Sequence, residues 1–566
     1  MDSEAGTTTP SVWGIDLGTT YSCIARVNEF GRPEVVNNRD GDPTTPSVVM
    51  FVSADNIQVG KEAKRQMQLE PDSVCELVKR RMGEPAWIFA AHGQEWSAPE
   101  ISAEILKALA EDAAQQTGEQ VDKVVITVPA YFGVAEREAT AAAGRIAGLE
   151  VVDILNEPTA AALAYGFAQG SDADETVLVY DLGGGTFDVT VIRLEPLPGG
   201  GSHIRVIATG GNHRLGGADW DARVVELLAG KFQAENPDAP DPLDDDLAAA
   251  DLRLAAEDVK RALTLRESVT QVVMAGGARA SVELTREEFE QATQDLLEAT
   301  VNFTRETLDE ARGRGVQTID RVLLVGGSSF MPAVSRRLAE SFEGWVPELS
   351  DPNQAVAKGA ALFGFQADLR GKVEDLANSE EADGAPADRS AIEKQIAAEV
   401  GVSLGTLQRV TETKITNVCA RGFGVKVLRD GLTEATDNPA DYFVDHLIKP
   451  NDALPIEPPK TETYRTIMPN QAYVEIVLME QAGTQLSPEL EHNDPIDTRQ
   501  FQLPGDDPAG TQIKISIGMN NDGRLTITAQ HPRVPELTFS TDAHGAVITE
   551  QEIAESTAKV QAMQRM

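Results

Sequence analysis

A glycine-rich turn near the middle of the chain, residues 181–188, carries the residue types that a phosphate and a divalent cation require. Apolar residues precede the turn and alternating apolar and polar residues follow it, which predicts a β-hairpin. Three consecutive glycines (183–185) let the backbone approach an anion closely and present N–H groups to it. Asp181 and Asp188 flank the glycines, and their carboxylates would hold a hydrated Mg²⁺. The turn therefore predicts half of a Mg-nucleotide site.

A second turn of the same layout lies near the N-terminus, at residues 15–21. It has an apolar run, Asp16, a Gly-Thr turn that begins at Gly18, and a second alternating run. A single Asp-x-Gly turn is common in ordinary hairpins, so the prediction depends on the presence of both copies. Together they predict a duplicated nucleotide-binding lobe, with the phosphates held between the copies.

Length and charge limit the possible classes of protein. A chain of 566 residues is too long for one hydrophobic core and predicts two to four domains. The formal net charge of -41 argues against a nucleic-acid ligand, because phosphate backbones require clustered Lys and Arg. An acidic surface of this kind favours solubility.

The cysteines, the histidines and the N-terminus indicate a cytoplasmic location. Cys23, Cys75 and Cys419 are far apart and odd in number, which disfavours both disulfides and a zinc site. The seven histidines show no metal-binding spacing. Residues 1–10 are polar and acidic, and no later segment reaches the roughly eighteen apolar residues of a membrane span. We expect neither an export signal nor a membrane anchor.

Further candidate site residues lie between and after the two turns. Lys79 follows a proline-initiated segment, and Glu157 lies between a strand and an Ala-rich helix. The predicted strand at 322–325 ends in glycines, a junction that leaves N–H groups available to a ligand. Each feature also has a simpler interpretation, such as a solvated lysine or a glutamate at a helix dipole. The predicted helix at 251–266 has one polar face, which could equally be a solvated stripe, formed by Glu257, Lys260, Arg261 and Thr264.

The composition changes after about residue 365. Residues 366–413 are rich in Ala, Asp and Glu and predict an acidic, partly disordered linker. Two-residue periodicity over 414–545 predicts a β-sandwich, with a hairpin turn at 520–523. Residues 546–566 predict one terminal helix, which a Thr-x-x-Glu capping box opens.

Several motifs resemble the 70-kDa heat-shock, DnaK-type chaperone family, and they extend from residue 12 to about residue 365. They are Gly14–Ser22, Val128–Phe132, Asn156–Ala162, Asp181–Asp188, Leu215–Gly217 and Val325–Ser328. The resemblance implies an α/β fold. Duplicated actin-like ATPase lobes over residues 1–365 would be followed by the linker, an all-β sandwich and a short C-terminal helix.

The resemblance also implies roles for individual residues. Water would attack ATP in line, with Lys79, Glu157, Asp181 and Thr186 as the catalytic group. Mg²⁺ would be held mainly through water by Asp16, Glu157, Asp181 and Asp188. The implied nucleotide contacts are Gly18, Thr19, Thr20, Tyr21, Gly183, Gly184, Gly185, Thr186, Gly216, Gly217, Glu257, Lys260, Arg261, Thr264, Gly326, Gly327, Ser328 and Phe330.

The sandwich resembles the family's peptide-binding domain less strongly. An apolar cleft for an extended peptide would be lined by residues that could equally be sandwich core: Val425, Val427, Leu428, Tyr464, Val474 and Ile476.

The chain departs from the family pattern in four places. Residues 366–413 differ from the family's short interdomain linker. Whether they couple ATP binding to the sandwich is therefore left open. Residues 83–100 are shorter than the family segment, and the lid is reduced to one helix. Phe330 stands where relatives have an arginine against adenine, although an aromatic ring could also stack there.

The resemblance implies ATP or ADP with Mg²⁺ as cofactors, and K⁺ is a further candidate ion. It also implies a monomer that binds unfolded or extended polypeptides, a J-domain cochaperone and a nucleotide exchange factor, but neither nucleic acid nor membrane. We therefore expect a chaperone ATPase. One alternative is a nucleotide-dependent regulator or scaffold with a single dedicated partner. A less favoured one is a sugar kinase, in which the sandwich would have no role.

Overall fold

The computed structural model describes residues 12–169, 174–198, 200–382, 387–429, 431–432, 436–483, 486–520, 523–541 and 549–566. Two α/β lobes come first, and a helical pair, a β-sandwich and a C-terminal segment follow. No helix within these ranges has the length and apolar character that a bilayer crossing requires.

The first lobe contains eleven strands and three helices. Its strands are β1 (Val12–Asp16), β2 (Tyr21–Val27), β3 (Pro33–Val36), β4 (Thr45–Pro46), β5 (Val49–Phe51), β6 (Asn56–Val59), β7 (Val74–Cys75), β8 (Phe89–Ala91), β9 (Gln94–Trp96), β10 (Lys123–Val128) and β11 (Glu150–Asn156). Its helices are α1 (Lys61–Gln66), α2 (Ala98–Thr117) and α3 (Val134–Ile146). Ser97 and Glu100 form a capping box that starts α2.

The second lobe follows helix α4 (Glu157–Gln169). Its strands are β12 (Glu175–Leu182), β13 (Phe187–Pro196), β14 (Ser202–Asn212), β15 (Ser268–Ala275), β16 (Ala278–Thr285), β17 (Arg321–Val325) and β18 (Pro347–Leu349). Its helices are α5 (Gly217–Glu235), α6 (Asp246–Leu265), α7 (Arg286–Ala292), α8 (Gln294–Gly313) and α9 (Pro332–Ser341). Helix α10 (Ala355–Ala382) follows and packs on α4 and on β1 and β2 of the first lobe.

The central sheets of the two lobes have the same topology, which confirms the predicted duplication. The first sheet has the order β11-β10-β1-β2-β3, and the second has β18-β17-β12-β13-β14. In the first sheet, β1 pairs in parallel with β10 and antiparallel with β2. In the second sheet, β12 pairs in parallel with β17 and antiparallel with β13. The hairpin predicted at the glycine-rich turn is present, with Asp181 paired to Asp188. Both turns lie at equivalent ends of equivalent strands.

Residues 366–413 were predicted to be an acidic, partly disordered linker. The structure corrects this over the described parts, 366–382 and 387–413, whereas residues 383–386 lie outside the described residues. Helix α10 continues to Ala382, and α11 (Arg389–Val400) and α12 (Leu404–Glu412) follow it. The three helices share a core whose members are Leu369, Val373, Ala377, Ile392, Ile396, Ala397, Leu407 and Val410. Strand β19 (Lys414–Thr416) then pairs with β14 and extends the second sheet.

Two four-stranded antiparallel sheets form the predicted sandwich. Its strands are β20 (Phe423–Leu428), β21 (Tyr442–Ile448), β22 (Ile456–Arg465), β23 (Tyr473–Gln481), β24 (Asn493–Gln502), β25 (Gln512–Met519), β26 (Leu525–His531) and β27 (Val534–Thr541). Strands β25 and β26 pair as predicted, although residues 521–522 of the predicted turn lie outside the described residues.

The C-terminal segment was predicted to be a shortened lid over the sandwich, and the structure places it elsewhere. Helix α13 (Glu550–Ala562) packs on α2 and α3 of the first lobe. Strand β28 (Gln564–Arg565) pairs in parallel with β6. Ile553, Val560 and Met563 are buried in the core of that lobe, so apolar burial attaches the segment there.

Candidate functional site

A cavity of about 430 Å³ lies between the two lobes and collects most of the predicted site residues. The predicted residues that line it are Asp16, Gly18, Thr19, Thr20, Tyr21, Lys79, Glu157, Asp181, Gly183, Gly184, Thr186, Glu257, Lys260, Arg261, Thr264, Gly326, Gly327, Ser328 and Phe330. Four other predicted residues lie behind this lining: Gly185, Asp188, Gly216 and Gly217.

The two glycine-containing turns face each other across the cavity. A Cβ atom on Gly184 would lie 1.9 Å from Thr20 Oγ1, and one on Gly185 would lie 2.3 Å from Thr19 Cγ2. Such distances are far below van der Waals contact, so both positions require glycine for steric reasons. Gly216 in turn packs against the backbone of Gly185. The glycines behind the lining therefore allow the turns to approach each other.

Lys79 and Glu157 form a buried ion pair beside the cavity. Lys79 Nζ lies 2.5 Å from Glu157 Oε1, and the two side chains are only 5% and 9% exposed. The short 3₁₀ turn Val78–Arg81 positions the lysine, and the first residue of α4 is the glutamate. Lys79 Nζ also lies 5.8 Å from the centre of the Phe132 ring. The solvated-lysine interpretation of Lys79 is therefore wrong.

Three further carboxyl groups are buried near this pair. Burial, and next the negative charge of Glu157, raise the pKa of Asp16 to about 7 and raise the pKa of Asp181 well above its usual range. Burial and the same charge also raise the pKa of Asp188. The backbone N–H of Ala130 donates to Asp188 Oδ1 at 3.0 Å, whereas Asp188 Oδ2 is buried without a hydrogen-bond partner.

The buried carboxyl groups of Asp16, Glu157, Asp181 and Asp188 outnumber the nearby cation, Lys79. This excess of acidic groups is suited to a divalent ion. Among the described residues, no group of three or more His, Cys, Asp or Glu side chains is close enough to ligate a metal directly. The donor set is therefore compatible with an ion held through water molecules.

The polar face of α6 closes the opposite side of the cavity. Lys260 Nζ lies 2.8 Å from Asp221 Oδ1 and donates to Gly217 O at 2.9 Å. Glu257 forms an ion pair with Lys64 of α1, which links the two lobes. Phe330 is 41% exposed at the rim. The face is thus part of the cavity rather than a solvated stripe.

Sequence reasoning missed Lys64 and Asp221. Lys64 is one of several charged residues on a short helix, and Asp221 lies within α5 without a motif around it. Their spatial partners are 193 residues and 39 residues away in the chain, so no local pattern identifies them.

The predicted peptide-binding residues divide into two groups. Val425 and Ile476 are each 2% exposed and belong to the sandwich core, which corrects the expectation that they line a cleft. Four others are partly buried: Val427, Leu428, Tyr464 and Val474. The Tyr464 hydroxyl donates to Asp445 Oδ2 at 2.9 Å.

The sandwich contacts the first lobe near the cavity. Arg421 lies 2.7 Å from Glu136 of α3, and its Nε donates to Tyr131 O at 3.4 Å. The backbone N–H of Val134 donates to Glu480 of β23 at 3.3 Å. These contacts join the sandwich to the first turn of α3 and to the segment before it, which carries Phe132.

Comparison with known proteins agrees with this architecture. The family model described as Hsp70 protein matches residues 12–382. Two curated relatives, each named chaperone protein DnaK, come from two strains of Halobacterium salinarum and are 42% identical over 372 residues. That match covers 64% of this chain and 57% of each relative, so it spans little more than half of the relatives' length. The chain belongs to the Hsp70 protein family.

Proposed function

We propose that this protein is a DnaK-type chaperone that binds and hydrolyses Mg-ATP and binds extended polypeptide through its β-sandwich. The observation that carries the ATPase proposal is the buried Lys79–Glu157 pair beside a cavity formed by two equivalent glycine-containing turns. The names of the curated relatives support the chaperone proposal.

The glycine-rich turn of the second lobe would bind the terminal phosphates of ATP. Its carbonyl groups already have partners, because Gly183 O accepts from Gly217 N at 2.9 Å and Gly184 O accepts from Ala218 N at 2.8 Å. The N–H groups of the turn other than that of Gly183 are then the groups that an anion would use. Thr186 closes the turn, since its carbonyl accepts from Gly183 N at 3.0 Å.

Hydrolysis would depend on positioning and charge rather than on covalent chemistry. Lys79 would orient the attacking water and offset the negative charge of the transition state. Glu157 would hold the ammonium group in place through their 2.5 Å contact. When bound, Mg²⁺ would neutralise phosphate charge, and Asp16, Glu157, Asp181 and Asp188 would hold its water ligands.

The contacts between sandwich and lobes suggest that nucleotide controls polypeptide release. Arg421 contacts the segment that includes Phe132, whose ring lies near Lys79 Nζ. A change at the phosphate side of the cavity therefore has a short physical path to the sandwich. A J-domain cochaperone and a nucleotide exchange factor are the proposed partners, in line with the family.

The first experiment would measure the release of a labelled, extended apolar peptide from the full-length protein in ADP and then in ATP. Faster release in ATP would support the chaperone. The variant Arg421→Ala should lose this acceleration, whereas Arg429→Ala, which removes a surface contact with Glu489, should keep it. Release that is unaffected by nucleotide, or a lack of peptide binding, would favour the regulator with one dedicated partner.

A further inference from the structure

The last residues of the chain bind the first lobe through backbone pairing and an ion pair. Arg565 Nη2 lies 3.0 Å from each carboxylate oxygen of Asp112, a geometry that fixes orientation as well as charge. The Met566 N–H donates to Ile57 O at 3.0 Å, so the segment extends the sheet of β6. Strand addition together with a buried Arg–carboxylate pair sets one register for the segment.

Helix α13 adds side-chain contacts to the same lobe. Lys559 Nζ lies 3.0 Å from Glu100 Oε1 and 3.9 Å from the centre of the Trp96 ring. The Ser556 hydroxyl donates to Glu100 Oε1 at 3.1 Å, and Val560 is fully buried. The first turn of α2 is therefore held by the C-terminal helix.

Helix α2 also supports the turn that carries Lys79, through a residue just beyond its first turn. Met82 directly follows that turn, and its N–H donates to Lys79 O at 3.3 Å. Met82 Sδ accepts from the Ser102 hydroxyl of α2 at 3.6 Å. Val78 and Met82 also share one hydrophobic core with the buried residues of α13. A short chain of contacts therefore leads from the C-terminal segment to Lys79.

Arg80 holds the turn on the side of the second lobe, because it donates to Gly185 O at 2.9 Å and lies 2.7 Å from Asp219 Oδ2. Support from the C-terminal segment therefore concerns the outer side of the turn. A second cavity, of about 390 Å³, borders it there and is lined by Arg81 and Glu84 on one wall and by Glu552 and Ser556 of α13 on another. The nucleotide cavity borders its inner side through Lys79. The turn thus lies between two cavities, and α13 forms part of the outer wall.

We propose that residues 549–566 are a positioning element of the nucleotide site. Their docking on the first lobe holds the turn at residues 78–81 so that Lys79 stays beside Glu157. The proposal rests on the proposed ATP hydrolysis. Undocking would loosen the outer side of the turn and lower kcat. The KM for ATP would change little because the glycine-rich turn and α6 keep contacts of their own, Gly217 N to Gly183 O and Lys260 to Asp221.

The variant Arg565→Glu tests this proposal in the full-length protein, because it places a third carboxylate beside Asp112 and Glu111. Amide exchange at Met566 reports undocking. We expect exchange of the Arg80 and Met82 amides to accelerate at least tenfold and kcat to fall at least fivefold, with KM within twofold. Two controls should match the wild-type protein: Arg565→Lys, and Arg312→Glu on the exposed face of α8.

A reversible crosslink separates docking from the charge of Arg565. Asn56→Cys and Gln564→Cys, combined with Arg565→Ala, place two thiols at paired positions of β6 and β28. The three native cysteines are buried, which favours crosslinking of the introduced pair. Oxidation should restore kcat and slow exchange of the Arg80 and Met82 amides, and reduction should reverse both.

Equal kcat and equal exchange at residues 78–82 in the oxidised and reduced forms would overturn the proposal. If the wild-type protein does not hydrolyse ATP, the proposed function fails. The exchange measurement still decides whether the segment positions the turn, so the two failures are distinguishable.

Discussion

Replacement of Lys79 by alanine should stop hydrolysis and also destabilise the first lobe. The lysine is 5% exposed and its ion pair with Glu157 is buried, so the variant leaves a carboxylate without its partner. Removal of one member of a buried pair typically costs about 3–5 kcal/mol of unfolding free energy. Lys79 also holds down the pKa of Asp16 and Asp181, and both values should rise further without it.

The effect on catalysis follows from the position of the ammonium group. Loss of one preorganised charge or donor beside a developing anion typically lowers kcat by about 10²–10³-fold. ATP should still bind, because Tyr21, Lys260 and the glycine turns line separate parts of the cavity. Single-turnover hydrolysis of a preformed ATP complex measures the chemical step, and ATP titration measures binding.

A double variant separates the two effects. Lys79→Ala with Glu157→Gln removes the uncompensated carboxylate, so it should recover much of the lost stability in thermal unfolding but none of the hydrolysis. A wild-type single-turnover rate in Lys79→Ala would refute the role given to the lysine. Recovery of hydrolysis in the double variant would equally show that the defect was one of stability.

Three further predictions test other parts of the structure. Gly184→Val should separate the facing turns and reduce ATP affinity at least tenfold in titration, because its Cβ would overlap Thr20. Burial raises the pKa of Glu480 from 4.5 to about 7, so the docked state retains a proton that the separated sandwich releases. Docking of the sandwich on the first lobe should weaken as pH rises from about 4.5 to 7 and then level off. An inter-domain fluorescence assay measures this docking, and Glu480→Gln should remove the trend. Leu407→Ala should cost about 2–5 kcal/mol in denaturant unfolding, because the side chain is fully buried against α10.

Local patterns predicted the duplicated lobes and most of the residues that line the cavity between them. A glycine turn between an apolar run and an alternating run depends on neighbouring residues alone, so both hairpins are visible in the sequence. The α6 face follows from helical spacing in the same way. Its partner Lys64 could not be predicted, because that contact joins residues 193 positions apart.

The segment at 366–413 was misassigned because composition was given more weight than spacing. Acidic, Ala-rich sequence is common to solvated helices and disordered linkers. The spacing of Ile392 and Ile396, and of Leu407 and Val410, is nevertheless that of one helical face, and these residues form the shared core with α10. The C-terminal helix α13 was predicted, but the surface on which residues 549–566 dock was not, because contacts such as Arg565–Asp112 span 453 positions.

The two ends of the sandwich are attached to the lobes with unequal strength. At its N-terminal end, β19 contributes a three-residue ladder with β14, in which each hydrogen bond adds about 0.5–1.5 kcal/mol net. At its C-terminal end, α13 buries Ile553, Val560 and Met563, and each such side chain contributes about 1.5–3 kcal/mol, in addition to the Arg565–Asp112 pair. Separation of the sandwich should therefore begin at β19. The C-terminal segment would remain docked on the first lobe meanwhile. The sandwich could therefore move while the turn at residues 78–81 stays supported.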